Sequence, residues 1–334
     1  MINVALLSKW HVHAVDYAKQ AKESDHIHVK TVWDEDHKRG EEWADELGVP
    51  FVADLSQVLS DSEIDAVIVA APTNKHKEIM LAAAEHKKHI FTEKVLAMNV
   101  QDCEEIYSAA EKADIELTVS LPRLTEDYYL YAQNVIDNGN LGTITMMRCR
   151  LAHNGAVPGE NHPKGWLPEQ FFNEEQCGGG ALIDLGAHPI YLANRLLGKP
   201  AAVTGRLEEM MNRGVDDHSA VIVEYESGVL AVLETSFVSA GSPFQLELYG
   251  TEGTLLVEDD HIRIKSSHFD SNEWAAPDEL PASLPMPMEQ WVTAIEQGKK
   301  TKIKKEDALQ LTLINQAAAL SHREGRRVTL RELV

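Results

Sequence analysis

A chain of 334 residues, 44% hydrophobic and 25% charged, reads as an ordinary globular protein too long for one comfortable core, so two domains are expected. Its net charge of −22 argues against nucleic acid and anionic membrane surfaces as partners, because both demand positive charge. Three dispersed cysteines, Cys103, Cys149 and Cys177, fit no metal spacing; with no basic leader and no apolar run of ~20 residues, a cytoplasmic location is the expectation.

Strand and helix signals alternate from the start. Ile2–Leu7 is apolar apart from Asn3, as a strand buried on both faces would be. A helix is expected over 11–22, a strand over 27–33, and a helix over 41–47 closed by Gly48 and Pro50. The pattern continues with a strand over 65–70, a helix over 75–85, a strand over 89–92, a helix over 100–113 and a strand over 115–119. Such alternation with short links predicts an α/β domain over residues 1–121, built on a doubly wound parallel sheet.

Sheets of this kind bind ligands at the carboxyl ends of their strands. After the first strand come Ser8, Lys9, Trp10, His11, Val12 and His13, where a dinucleotide fold would carry glycines. Backbone N–H groups at the helix start, with Lys9 beside them, are expected to receive phosphate. His11 and His13 alternate like metal ligands but have no carboxylate or thiol near them in sequence, so no metal is expected. Asp34 ends the next strand, placed to accept ribose hydroxyls and so to favour NAD over NADP. The strand at 65–70 leads into Ala71, Pro72, Thr73, Asn74, Lys75 and His76, and the strand at 89–92 into Glu93 and Lys94. A lysine so placed can hydrogen-bond a substrate oxygen and favour its alkoxide; the alternative is a solvated lysine pairing with Glu93.

Residues 122–334 are expected to form an α+β domain with a large, mostly antiparallel open sheet, closed by helices within 288–322. A helix follows Thr125, and a strand spans 144–151. The long loop 153–172 carries His153 and Trp166, either as one wall of a ligand pocket or as a surface excursion. Gly178, Gly179 and Gly180 would let backbone approach a ligand closely. In the following helix, expected over 181–197, Asp184 and His188 share one face, and Gly186 and Pro189 predict a kink or a fresh helix start. Six strand patterns follow between 202 and 266, then a connecting loop over 269–287.

Together these residues resemble the glucose–fructose oxidoreductase / inositol dehydrogenase family, Gfo/Idh/MocA. The resemblance rests on Ala70–His76, Glu93-Lys94-Val95, Arg123, Asn138–Ile144, Gly178 through Asp184 to His188, and Lys305–Ala308, in that order along nearly the whole chain. It implies a Rossmann domain followed by the open-sheet domain, with NAD as cofactor. The implied reaction moves a hydride between NAD and a hydroxyl carbon of a sugar, polyol or related small molecule. His188 would remove the hydroxyl proton, Lys94 would stabilise the developing alkoxide, and Asp184 would orient the set. Ser8, Lys9, Trp10, His11, Val12, Asp34, Ala71, Pro72, Thr73, Asn74, His76, Glu93 and Lys94 would line the cofactor, and Arg123, His153 and Trp166 the substrate. A homodimer or homotetramer is implied as well. Val95 stands where the family has proline. A hydrolase or lyase with tightly bound NAD, or a ligand-sensing relative without catalysis, is the alternative on this scaffold.

Overall fold

The apolar run Ile2–Leu7 forms strand β1 inside a five-stranded parallel sheet. Its partners are β2 (Ile27–Trp33), β3 (Ala66–Val69), β4 (His89–Thr92) and β5 (Leu117–Val119), in the order β2-β1-β3-β4-β5. Strand order therefore reverses between β1 and β3, which is where doubly wound sheets leave a crevice for ligands. The linking helices are α1 (Ala14–Glu23), α2 (His37–Leu47), α3 (Leu55–Ser60), α4 (His76–Glu85) and α5 (Val100–Ala113). Two starts differ from expectation. Helix α1 begins at Ala14 rather than 11, because residues 8–13 are spent in a turn. Helix α2 begins four residues early, because the Asp36 carboxylate caps the Arg39 amide at 3.2 Å. Helix α3 had no counterpart in the sequence reading.

The second sheet has eight strands. They are β6 (Ile144–Ala152), β7 (Pro200–Glu208), β8 (His218–Tyr225), β9 (Leu230–Ser236), β10 (Gln245–Gly250), β11 (Gly253–Glu258), β12 (His261–Ser266) and the two-residue β13 (Val328–Thr329). Their order is β12-β11-β10-β6-β9-β8-β7-β13, antiparallel throughout except for the β6–β9 pair. Side chains alternate between the faces as the pleat requires. Met147, Cys149, Leu233 and Val221 are buried on one face, while Met146, Ile222 and Leu230 are exposed on the other, beside an Arg148–Glu234 ion pair of 2.6 Å. The helices of this part are α6 (Asp127–Asp137), α7 (Glu174–Cys177), α8 (Ala181–Asp184) and α9 (Ala187–Leu197), and α8 and α9 pack on strands β6, β8 and β9. The single helix expected over 181–197 is thus two, broken at Leu185–Gly186, where a kink or new start was expected. A Cβ on Gly186 would stand 2.5 Å from the Leu182 carbonyl oxygen, so the crossing of the chain here requires glycine.

Helices α10 (Pro287–Gln297) and α11 (Lys305–Glu324) come last, and α10 corrects the expected domain boundary. The chain makes two compact units, residues 1–120 with 285–308, and residues 121–284 with 309 to the C-terminus. A continuous second domain from 122 onward is not what forms, because Met288, Trp291 and Val292 complete the core of the first unit. Trp291 is fully buried, its ring 5.7 Å from Phe91 and its indole nitrogen donating to the Glu116 carbonyl at 3.4 Å. Trp291→Ala is accordingly expected to destabilise the first unit by about 3–5 kcal/mol, measured by urea unfolding. A loss under about 1 kcal/mol would show that α10 is peripheral. The structure, a computed structural model, describes residues 1–269 and 273–333, so part of the expected 269–287 loop lies outside the described residues. Among them, no helix is long and apolar enough to cross a membrane.

Candidate active site

In the first unit the strand ends gather the polar residues. After β1 the chain turns through Ser8, whose φ of +75° is the left-handed conformation that normally calls for glycine. The turn thus keeps the shape of a glycine-bearing one while filling its space with side chains. Trp10 is buried, and its amide donates to Ser8 Oγ at 3.1 Å. The Lys9 amide donates to Asp34 Oδ2 (2.8 Å), the His11 amide to the Ala70 carbonyl (3.0 Å) and the His13 amide to His11 Nδ1 (3.2 Å). These donors, expected to receive phosphate, are engaged within the protein. Lys9 Nζ likewise pairs with Glu46 at 2.6 Å. Val12 stands exposed at the turn.

Asp34 needs a similar correction. It is fully buried rather than open to ribose hydroxyls, and its carboxylate accepts from the amides of Lys9 and Asp36 and from Arg39 Nε (2.9 Å) and Nη2 (2.5 Å). Arg39 also reaches Glu35 at 2.5 Å, so two carboxylates share one guanidinium. Such a forked pair is geometrically specific, and Arg39 was not singled out from the sequence.

At the end of β3, Ala71 and Pro72 lead into a short 3₁₀ turn, Thr73–Lys75, with Asn74 exposed. His76, expected to line the cofactor, lies inside the protein. It is buried, with Nε2 3.0 Å from the Ala71 carbonyl and Nδ1 3.1 Å from those of both Val95 and Leu96. Burial pushes its pKa below the usual imidazole range against those carbonyls. Its work is to tie the end of β3 to the segment that carries Lys94. The Lys94–Val95 peptide bond is cis. Lys94 itself is only 5% exposed, which removes the reading of a solvated lysine.

Glu93 is the hub of this end of the sheet. Its Oε1 accepts the Lys94 amide at 2.8 Å. Its Oε2 accepts the Tyr17 hydroxyl and lies 2.9 Å from His13 Nδ1 and 3.5 Å from His11 Nδ1. Burial alone would raise its pKa, but the neighbouring His11, His13 and Lys94 charges outweigh that and hold the carboxyl well below its ordinary range. The carboxylate that the histidine pair lacked in sequence is therefore present, supplied from eighty residues away. Tyr17 carried no signal that pointed to this role.

The second unit builds a separate group. His188 lies in the first turn of α9, almost buried, with Nδ1 2.7 Å from the Tyr191 hydroxyl. That hydroxyl also accepts the Arg123 amide at 3.2 Å. The Arg123 side chain donates to Tyr128 at 3.1 Å and lies over the Phe244 ring, 4.6 Å from its centroid. Asp184 ends α8 and is half-buried. His153 stacks on Phe237 (5.1 Å, 8°) and sits 4.6 Å from Trp166, whose face is half exposed. Burial lowers the pKa of His153, with the Asp184 charge opposing, so these two residues of one unit are electrostatically coupled.

The glycines answer to Asp216, which the sequence reading did not single out. A Cβ on Gly180 would stand 2.0 Å from the Asp216 carbonyl oxygen. The Asp216 carboxylate accepts the amides of Gly180 (2.9 Å) and Leu182 (2.8 Å), and its carbonyl that of Ala181 (2.7 Å). The close approach expected for a ligand is made by a neighbouring loop, which caps α8 and fixes where Asp184 emerges.

Residues 11–121 match the oxidoreductase family with an NAD-binding Rossmann fold, and residues 129–256 match the GFO/IDH/MocA C-terminal domain. Myo-inositol 2-dehydrogenase of Thermotoga maritima is 24% identical over 95% of this chain and 96% of its own length. The uncharacterized oxidoreductase YrbE of Bacillus subtilis is also 24% identical, over 69% of this chain and 66% of that protein. A solved structure of levoglucosan dehydrogenase, in complex with NADH and levoglucosan, shares the fold with a TM-score of 0.83 at 21% identity, over 98% of this chain and 99% of that one. The two family matches cover most of the chain between them, and the chain belongs to the GFO/IDH/MocA family of NAD-binding oxidoreductases.

Proposed function

We propose that the protein is an NAD-dependent dehydrogenase of a polyol, a sugar or a closely related hydroxyl compound. The observation that carries this reading is the near-buried His188, its Nδ1 held by Tyr191. With Nδ1–H donated to that hydroxyl, Nε2 keeps its lone pair for a substrate proton. Lys94, on a segment fixed by His76 and Glu93, supplies the positive charge that favours an alkoxide. Asp184, four residues before the base, would favour its charged form, and Arg123, His153 and Trp166 would contribute to substrate binding. The full-length likeness to the Thermotoga inositol dehydrogenase supports a cyclic polyol or sugar as the substrate class.

The first unit fits a dinucleotide through its sheet order and the left-handed turn at Ser8. Val12 and His13 at the start of α1, the Asp34–Arg39 pair, and Thr73 with Asn74 would hold NAD. When bound, NAD accepts the hydride of an alcohol oxidation. We expect NAD to bind more tightly than NADP, because Arg39, the guanidinium beside the buried Asp34, is already shared by the Asp34 and Glu35 carboxylates. Titration of both cofactors checks this; tighter NADP binding would mean that Arg39 leaves Asp34 for the phosphate. A homo-oligomer formed through the exposed face around Met146, Ile222 and Leu230 belongs to the same reading. The decisive experiment is a screen of polyols and aldoses that follows NADH formation. Cofactor binding without turnover on any of them would remove the dehydrogenase reading.

A further inference from the structure

We propose that His11, His13 and Glu93 form a binding site for one divalent transition-metal ion of the zinc type. One ligand atom from each residue lies within 4.8 Å of the other two, and all three residues belong to the first unit. Zinc bonds of about 2.0–2.2 Å set tetrahedral ligand atoms about 3.4 Å apart. The separations from Glu93 Oε2 to His13 Nδ1 and His11 Nδ1, 2.9 and 3.5 Å, bracket that value. Two imidazoles and a carboxylate are a donor set that zinc and cobalt favour, and magnesium and calcium do not.

The His13 amide donates to His11 Nδ1 at 3.2 Å, and a metal ion at that nitrogen would take the place of this bond. Surrounding groups already fix the carboxylate as a ligand requires. The Tyr17 hydroxyl holds Oε2 and the Lys94 amide holds Oε1, and partners of this sort orient metal-bound carboxylates. Glu93 is 2% exposed and His11 5%, while His13 remains partly accessible as the route of entry. Three protein ligands leave a fourth tetrahedral position open to water or to an oxygen of a bound ligand.

The test uses the full-length chain without an affinity tag, free of cofactor. The protein is stripped with a chelator, loaded with Zn²⁺ or Co²⁺ and freed of excess by gel filtration. Metal content is then measured by mass spectrometry, and the Co²⁺ form by its visible spectrum. One equivalent per chain and an intense tetrahedral Co²⁺ spectrum are expected. His11→Ala and His13→Ala, checked for folding by circular dichroism, should lose both, and Tyr17→Phe should weaken affinity roughly 10- to 100-fold. Wild-type protein that retains well under one equivalent overturns the proposal, whatever the variants do. So does a full equivalent retained by both histidine variants, since it would place the metal elsewhere. Because no cofactor or substrate enters the measurement, its outcome is independent of the dehydrogenase reading.

Discussion

Lys94→Met is expected to cost roughly 100-fold or more in turnover, about 2.7 kcal/mol of transition-state stabilisation, while the fold and NAD affinity survive. Methionine has nearly the length of lysine without its charge, so it fills the buried space behind β4 and subtracts only the cation. The backbone should stay in place, because Glu93 holds the Lys94 amide and His76 holds the carbonyls of Val95 and Leu96. None of those bonds involves the lysine side chain. Turnover and cofactor titration on the same preparation check the claim. Wild-type turnover with an established substrate would remove Lys94 from the reaction.

His188→Ala is expected to be at least as damaging, because it removes the proton acceptor and leaves the Tyr191 hydroxyl without that nitrogen. Tyr191→Phe separates the two effects. It keeps the imidazole but takes away the partner of Nδ1, so it should slow turnover less than His188→Ala and shift its pH dependence. Equal, small effects from both variants would mean that this pair merely packs α9. The measurement is kcat for wild type and both variants at saturating NAD and substrate.

The parallel sheet was legible because its strands are short runs rich in apolar and β-branched residues that alternate with helix patterns, a local signal. The long antiparallel sheet was legible for the related reason that its strands alternate and its hairpins carry glycine. What escaped was set by contacts distant in sequence. Helix α10 reads as an ordinary amphipathic helix, and nothing local says that Trp291 will lie against Phe91. Gly180 advertised a close approach, but the partner, Asp216, lies 36 residues on and looked like any turn acid. Asp34 was placed correctly at the end of β2, whereas its saturation by Arg39 depends on a helix that starts earlier than its sequence suggested. The His11–His13 pair looked incomplete because Glu93 reaches it only through the parallel pairing of β1, β3 and β4.

The central claim is that His188 is the base of an NAD-dependent oxidation. Its most direct test is the pH profile of kcat/KM for wild type, His188→Ala and Asp184→Asn on one substrate, over the range where the fold is stable. Burial pushes both His76 and His153 below the usual imidazole range, so each is already neutral where an accessible imidazole loses its proton. The rise of activity with pH is expected to belong to His188, and His188→Ala tests that assignment against His11 and His13, the other imidazoles near Lys94. Wild type is predicted to show that rising limb, His188→Ala to lose it along with most of the rate, and Asp184→Asn to keep it at lower pH, because a carboxylate that favours imidazolium has gone. A His188→Ala enzyme with the wild-type profile would contradict the claim and place the base elsewhere.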